Sequence, residues 1–100
     1  MTFLVLLRRS GPAWDPSRAM EEQSGWPEHA AFMDRLMDRR FVVLGGPLAD
    51  GERVVLVVEA DSEESVRKTL GDDPWSGSHL VIDAVEPWTI RLDARRGSGR

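Results

Sequence analysis

Apolar and polar positions along the chain fall into short blocks whose period changes. Thr2–Arg9 opens with an apolar run in which Phe3, Val5 and Leu7 face one side of an extended chain and Leu4 and Leu6 the other. A strand apolar on both sides is covered on both sides, so a buried strand is predicted. From Ser10 to Gly25 the pattern lapses, punctuated by Gly11, Pro12, Pro16 and Gly25. Such a stretch predicts a long loop without regular structure, either a lid or binding loop or a disordered segment. Beyond it the spacing turns helical, from Pro27 to about Arg40. His29, Phe32, Met33, Leu36 and Met37 share one face, while Glu28, Asp34, Arg35 and Asp38 take the other. Pro27 suits the first helical position, where its missing N–H costs nothing.

Phe41–Leu44 predicts a second strand, ended by Gly45-Gly46-Pro47. Asp50-Gly51 signals a hairpin with a type I′ turn. Arg53–Ala60 is a third strand, again two-sided, with Val54, Leu56 and Val58 set against Val55 and Val57. Asp61-Ser62-Glu63-Glu64 carries a helix start with acids in the first turn. Val66 and Leu70 lie one turn apart in that helix, and Gly71 suits the residue just past its end. Asp72–Ser78 is a loop, and Leu80–Leu92 a last strand, bent or bulged at Pro87.

The resulting order, βαββαβ, is the ferredoxin-like arrangement: a four-stranded antiparallel sheet with two helices on one face. One domain covers 1–94, and 95–100, made of Arg, Gly and Ser, reads as a flexible tail. Two helices cover one face of a sheet whose first and third strands are apolar on both. No segment remains for the second face, so a second copy, sheet to sheet, is the expected cover and a C2 homodimer the expected assembly.

Charge and composition narrow the function. Thirteen Lys and Arg against seventeen Asp and Glu leave a net charge of −4 in 100 residues. That balance argues against nucleic acid, whose binding rests on phosphate neutralisation. An RNA-binding sheet would also carry stacking aromatics, and Val54-Val55-Leu56-Val57-Val58 has none. The longest apolar runs, Phe3–Leu7 and Val54–Val58, fall far short of the ~20 residues that span a membrane, and the start lacks a secretory-signal pattern. A cytoplasmic protein is expected. Cysteine is absent, which excludes thiolate metal sites and cysteine nucleophiles. The two histidines have no metal-ligand spacing, so no metal is expected. Four Trp stand beside no Tyr, and each Trp lies within two residues of a Pro.

His29 is the leading candidate for chemistry. It occupies the apolar face of its helix yet lies in the first turn, at the helix mouth, where the positive end of the dipole disfavours imidazolium. A neutral ring there can act as a base; the alternative is a buried histidine bonded to backbone or carboxylate. Asp73, extended by Pro74, can orient an imidazole in the manner of a triad's third group; the alternative is a turn or cap. Gly46 and Pro47 form either a pocket wall of bare backbone or a bulge. His79, opening the last strand, reads as a solvated strand end.

Taken together, Pro27-Glu28-His29-Ala30-Ala31-Phe32, Gly45-Gly46-Pro47-Leu48, Asp72-Asp73-Pro74-Trp75 and Val85-Glu86-Pro87-Trp88 resemble the YCII-related (YciI-like) domain family over nearly the whole chain. Arg8-Arg9-Ser10-Gly11-Pro12 and Trp14-Asp15-Pro16 resemble one bacterial branch of it. The resemblance implies a dimeric α+β barrel with a pocket between sheet and loops, and it implies a His–Asp pair there: His29 and Asp73. One branch of the family is a dehydrochlorinase of a chlorinated hydroxyquinol. The loop Ser10–Gly25 is longer than in the type members, so no substrate is carried over.

The expected function is therefore a cofactor-independent enzyme. His29 and Asp73 would perform elimination or proton abstraction on a small cyclic or phenolic compound. Gly46, Pro47, Pro74, Trp14, Trp26 and Trp75 would line the pocket. The alternatives are a non-catalytic dimer that binds a small ligand or partner, and a haem-binding relative on the same barrel.

Overall fold

A computed structural model of the chain describes residues 1–96. The elements run β1 (Thr2–Arg8), α1 (Trp26–Asp38), β2 (Val42–Pro47), β3 (Arg53–Glu59), α2 (Glu63–Gly71) and β4 (Val81–Pro87), with 3₁₀ turns at Met20–Glu22 and Ala94–Arg96. The sheet is antiparallel in the order β2-β3-β1-β4. This is the ferredoxin-like α+β fold that the hydrophobic pattern predicts. Of the tail expected over 95–100, residues 95 and 96 belong to the second 3₁₀ turn and the rest lies outside the described residues.

The register fixes both sheet faces. Phe3 pairs with Val58 and Val5 with Leu56 and Val85, and these five are buried. They meet Phe32 and Leu36 of α1 and Val66 and Leu70 of α2 in one core. The intervening positions Leu4, Leu6, Val55 and Val57 turn to the other face and stay partly exposed.

Local chemistry explains where the elements end. Helix α1 starts one residue before Pro27, with Gly25 at its N-cap in the left-handed region (φ 73°). It closes with Phe41 N–H donating to Leu36 C=O and Arg40 N–H to Met37 C=O, both at 2.9 Å. That pair is a Schellman closure, and Arg40 takes the left-handed position (φ 60°) usually given to glycine. Helix α2 is capped by the Ser62 hydroxyl, which accepts from Ser65 N–H at 3.1 Å.

Several boundaries differ from the sequence reading. Strand β2 continues through Gly45-Gly46-Pro47 instead of ending there, paired with Leu56, Val55 and Val54. It is an edge strand, where Pro47 is tolerated, and a Cβ on Gly45 would sit 2.5 Å from the Leu56 side chain. The β2–β3 turn is not type I′, since Gly51 alone has positive φ there; the Asp50 carboxylate instead accepts from Glu52 N–H and Arg53 N–H, both at 2.9 Å. Gly71 ends α2 from within the helix. Strand β4 stops at Pro87 and does not reach Leu92, because its partner β1 has no residues left to pair beyond Thr2; Trp88 N–H makes the last bond, to Thr2 C=O.

The long loop is ordered by its own side chains. Buried Gln23 accepts from Asp15 N–H at 2.9 Å and donates to the carbonyls of Asp15 (2.7 Å) and Arg18 (3.1 Å). Gly11 lies against the Ser78 backbone, where a Cβ would come within 2.2 Å of the Ser78 carbonyl oxygen, and Ala13 N–H bonds that same oxygen at 2.7 Å. The loop is thereby fastened to the turn that precedes β4. No helix among the described residues is long and apolar enough to cross a membrane.

Candidate functional site

Helix α1 carries His29 in its first turn, and the chain leaving α2 carries Asp73. The two buried side chains meet: His29 Nδ1–H donates to the Asp73 carboxylate, 2.8 Å from one oxygen and 2.9 Å from the other. Asp73 is fixed from behind. Its N–H bonds Leu70 C=O at 3.1 Å, and one carboxylate oxygen accepts Trp75 N–H at 2.9 Å. A carboxylate at Nδ1 sets the tautomer, leaving the lone pair on Nε2. Nε2 has no partner among the described residues, and no polar side-chain atom there is both buried and unpartnered. Nε2 is therefore open to an incoming group.

Trp75 backs the pair. Its ring stacks on the His29 imidazole at 4.0 Å between centroids and 4° between planes. Its indole N–H donates to Ser24 C=O at 2.9 Å, which ties the end of the long loop to the site. Trp14 meets Trp75 edge-on at 5.8 Å, and Trp26 tilts against both His29 and Trp75 at 5.8 Å. Trp14 and Trp26 thus gather around Trp75, and Trp26 and Trp75 pack on His29, while Trp88 stands apart on the surface.

His79 is not a solvated strand end. It is buried and stacks on the opposite face of Trp75 at 4.7 Å, with its nitrogens on the hydroxyls of Ser24 (3.0 Å) and Ser78 (2.9 Å). Burial pushes its pKa below the ordinary value, nearby His29 pushes the same way, and Asp73 opposes. Spacing gave no sign of this, because the chain turns tightly after Trp75, whose carbonyl receives the N–H groups of Ser78, His79 and Leu80.

A cavity of about 330 Å³ opens in front of the pair. His29, Asp73, Trp26, Trp75, Gly46 and Pro47 border it. Trp14 and Pro74 do not: Trp14 stands behind Trp75, and Pro74 is exposed on the outside of its turn. Arg9, Met20 and Met33 also border the cavity, where the sequence reading did not place them. Met37, expected in the core, is largely exposed at the cavity rim.

Among the described residues, no group of three His, Cys, Asp or Glu stands together to hold a metal ion. The arrangement offers an oriented imidazole with one free nitrogen, a carboxylate to balance charge on the ring, and an apolar chamber. Compared with models of known protein families and with curated proteins, the chain matches none.

Proposed function

We propose that the protein is a small acid–base enzyme in which His29 and Asp73 act on a small cyclic or phenolic compound without a cofactor. The observation that carries this reading is the Nδ1–carboxylate contact at 2.8 Å beside an open cavity. His29 Nε2 takes a proton from a C–H or O–H of the bound compound. The Asp73 carboxylate then faces the imidazolium, and the Trp75 ring lies within cation–π range of it. In an elimination, the electron pair of the broken C–H bond forms the new double bond, and the leaving group departs with the electrons of its own bond. In an isomerisation, the proton returns to another atom of the same compound.

Kinship with the YCII-related family belongs to the same proposal. The motifs around His29, Gly45-Gly46-Pro47 and Asp73-Pro74-Trp75 support it, because all three meet at one cavity. A homodimer through the open sheet face belongs to it too, supported by the two-sided patterns of β1 and β3.

The test measures chloride release and solvent-deuterium incorporation over a panel of chlorinated hydroxyquinols and cyclic ketones. Wild type is expected to turn over at least one compound, and His29→Gln to lose about 10²- to 10⁴-fold. Asp73→Asn is expected to lower the rate as well. Equal rates in wild type and His29→Gln contradict the proposal. A wild type that binds panel members and converts none points instead to a non-catalytic ligand-binding dimer.

A further inference from the structure

Arg9 borders the same cavity as His29 and has no acidic partner. It follows β1, anchored by its N–H to Glu52 C=O at 2.8 Å. Its guanidinium stacks over Trp14 at 4.8 Å and donates once to Gly51 C=O (3.1 Å) and once to Met20 Sδ (3.3 Å). Two of its five N–H donors are thus used, both on uncharged acceptors. Arg8, Arg18, Arg53, Arg67 and Arg95 each pair with a carboxylate; Arg35, Arg39, Arg40 and Arg91 do not, but of the described arginines only Arg9 borders the cavity. The one carboxylate bordering the cavity, among the described residues, is Asp73, and both its oxygens are turned to His29.

We infer that the cavity takes a small apolar carboxylate, with Arg9 reading its charge and His29 facing the reacting part. This rests on the reading of the cavity as the ligand site. The remaining donors of Arg9 form a planar fork that matches a carboxylate. The half-buried guanidinium keeps donors that no carboxylate of the described chain occupies, and an anionic ligand can take them. Met20, Trp26, Met33 and Leu56 provide a hydrophobic surface for the body of the ligand. About 330 Å³ lies at the small end of the usual range of about 300–1,000 Å³, which suits a single-ring acid better than an extended cofactor. Stacking on Trp14 holds the guanidinium in place before the ligand arrives, so less freedom is lost on binding.

The test uses benzoate, phenylacetate and cyclohexanecarboxylate, each against its neutral amide, with binding followed by calorimetry and tryptophan fluorescence. Wild type is expected to bind the acids at least about tenfold more tightly than the amides. Arg9→Gln should erase the difference, Arg9→Lys should restore part of it, and Arg67→Gln, on remote α2, should leave it intact. Acids and amides bound equally by wild type, an acid preference that survives Arg9→Gln, or no binding of any acid at millimolar concentration each overturns the inference. The proposed function fails separately: acids that bind through Arg9, with no turnover in wild type, leave this inference standing and remove the enzyme reading.

Discussion

The indole of Trp75 separates two imidazoles that face different partners, a carboxylate for His29 and two hydroxyls for His79. Placing a hydroxyl at each nitrogen satisfies His79 as a neutral ring, and burial disfavours its charged form. Its pKa is lower in the folded than in the unfolded chain, so the unfolded chain binds the proton more readily. The stability from this residue is complete above the unfolded value near 6.5 and is lost as pH falls through the lower folded value. His79→Asn is therefore expected to flatten the loss of stability on acidification below about pH 6.5; urea midpoints across pH check this, and an unchanged slope contradicts it. At this scale the sequence was legible only in part. His29 and Asp73 announced themselves through a helix first turn and an Asp-Pro step, which are local signals. His79, Gln23 and Arg9 gave none, because their partners are brought to them by the folded loop or by a distant turn.

At the scale of elements, strands and helices follow from the apolar spacing, and the misread boundaries lie where a neighbour decides. Strand β2 runs on through two glycines because β3 offers it a partner up to Val54, and β4 stops where β1 stops. Neither limit is written in the strand that obeys it. The closure of α1 is a second case: the helix ends on two capping bonds although its left-handed residue is Arg40. The left-handed region costs a non-glycine residue about 1–2 kcal/mol, part of which glycine loses again through the unfolded chain. Arg40→Gly is expected to stabilise the protein by about 0.5–1 kcal/mol. Thermal unfolding measures it, and a destabilised variant would mean that the arginine side chain contributes more than the backbone strain removes.

At the scale of the whole molecule, the helix-free face of the sheet carries Leu4, Leu6, Val55 and Val57, with Leu44 (57% exposed) beside them. Charged pairs stand at its margins, Arg8 with Asp83 at one end and the N-terminus with Glu59 at the other. An apolar centre with a charged rim is how protein interfaces are built. The proposed homodimer is expected to sediment as such at micromolar concentration, and Leu6→Glu to yield a folded monomer; a wild-type monomer at 100-fold higher concentration contradicts it. The two-sided apolar pattern was legible in the sequence, but what covers that face was not, since a partner leaves no local signature. The site depends on the whole molecule in another way: a helix, the chain after a second helix and a loop fastened over both must meet to present one nitrogen to one cavity. That nitrogen is the most direct point of test. A two-bond ¹H–¹⁵N spectrum of the histidines at alkaline pH, where imidazoles are neutral, reads which ring nitrogen holds the proton. His29 should show a protonated Nδ1 and a bare Nε2 whose resonance shifts when a cavity ligand such as benzoate is added. A proton on Nε2, or an Nε2 resonance indifferent to ligand, would contradict the account.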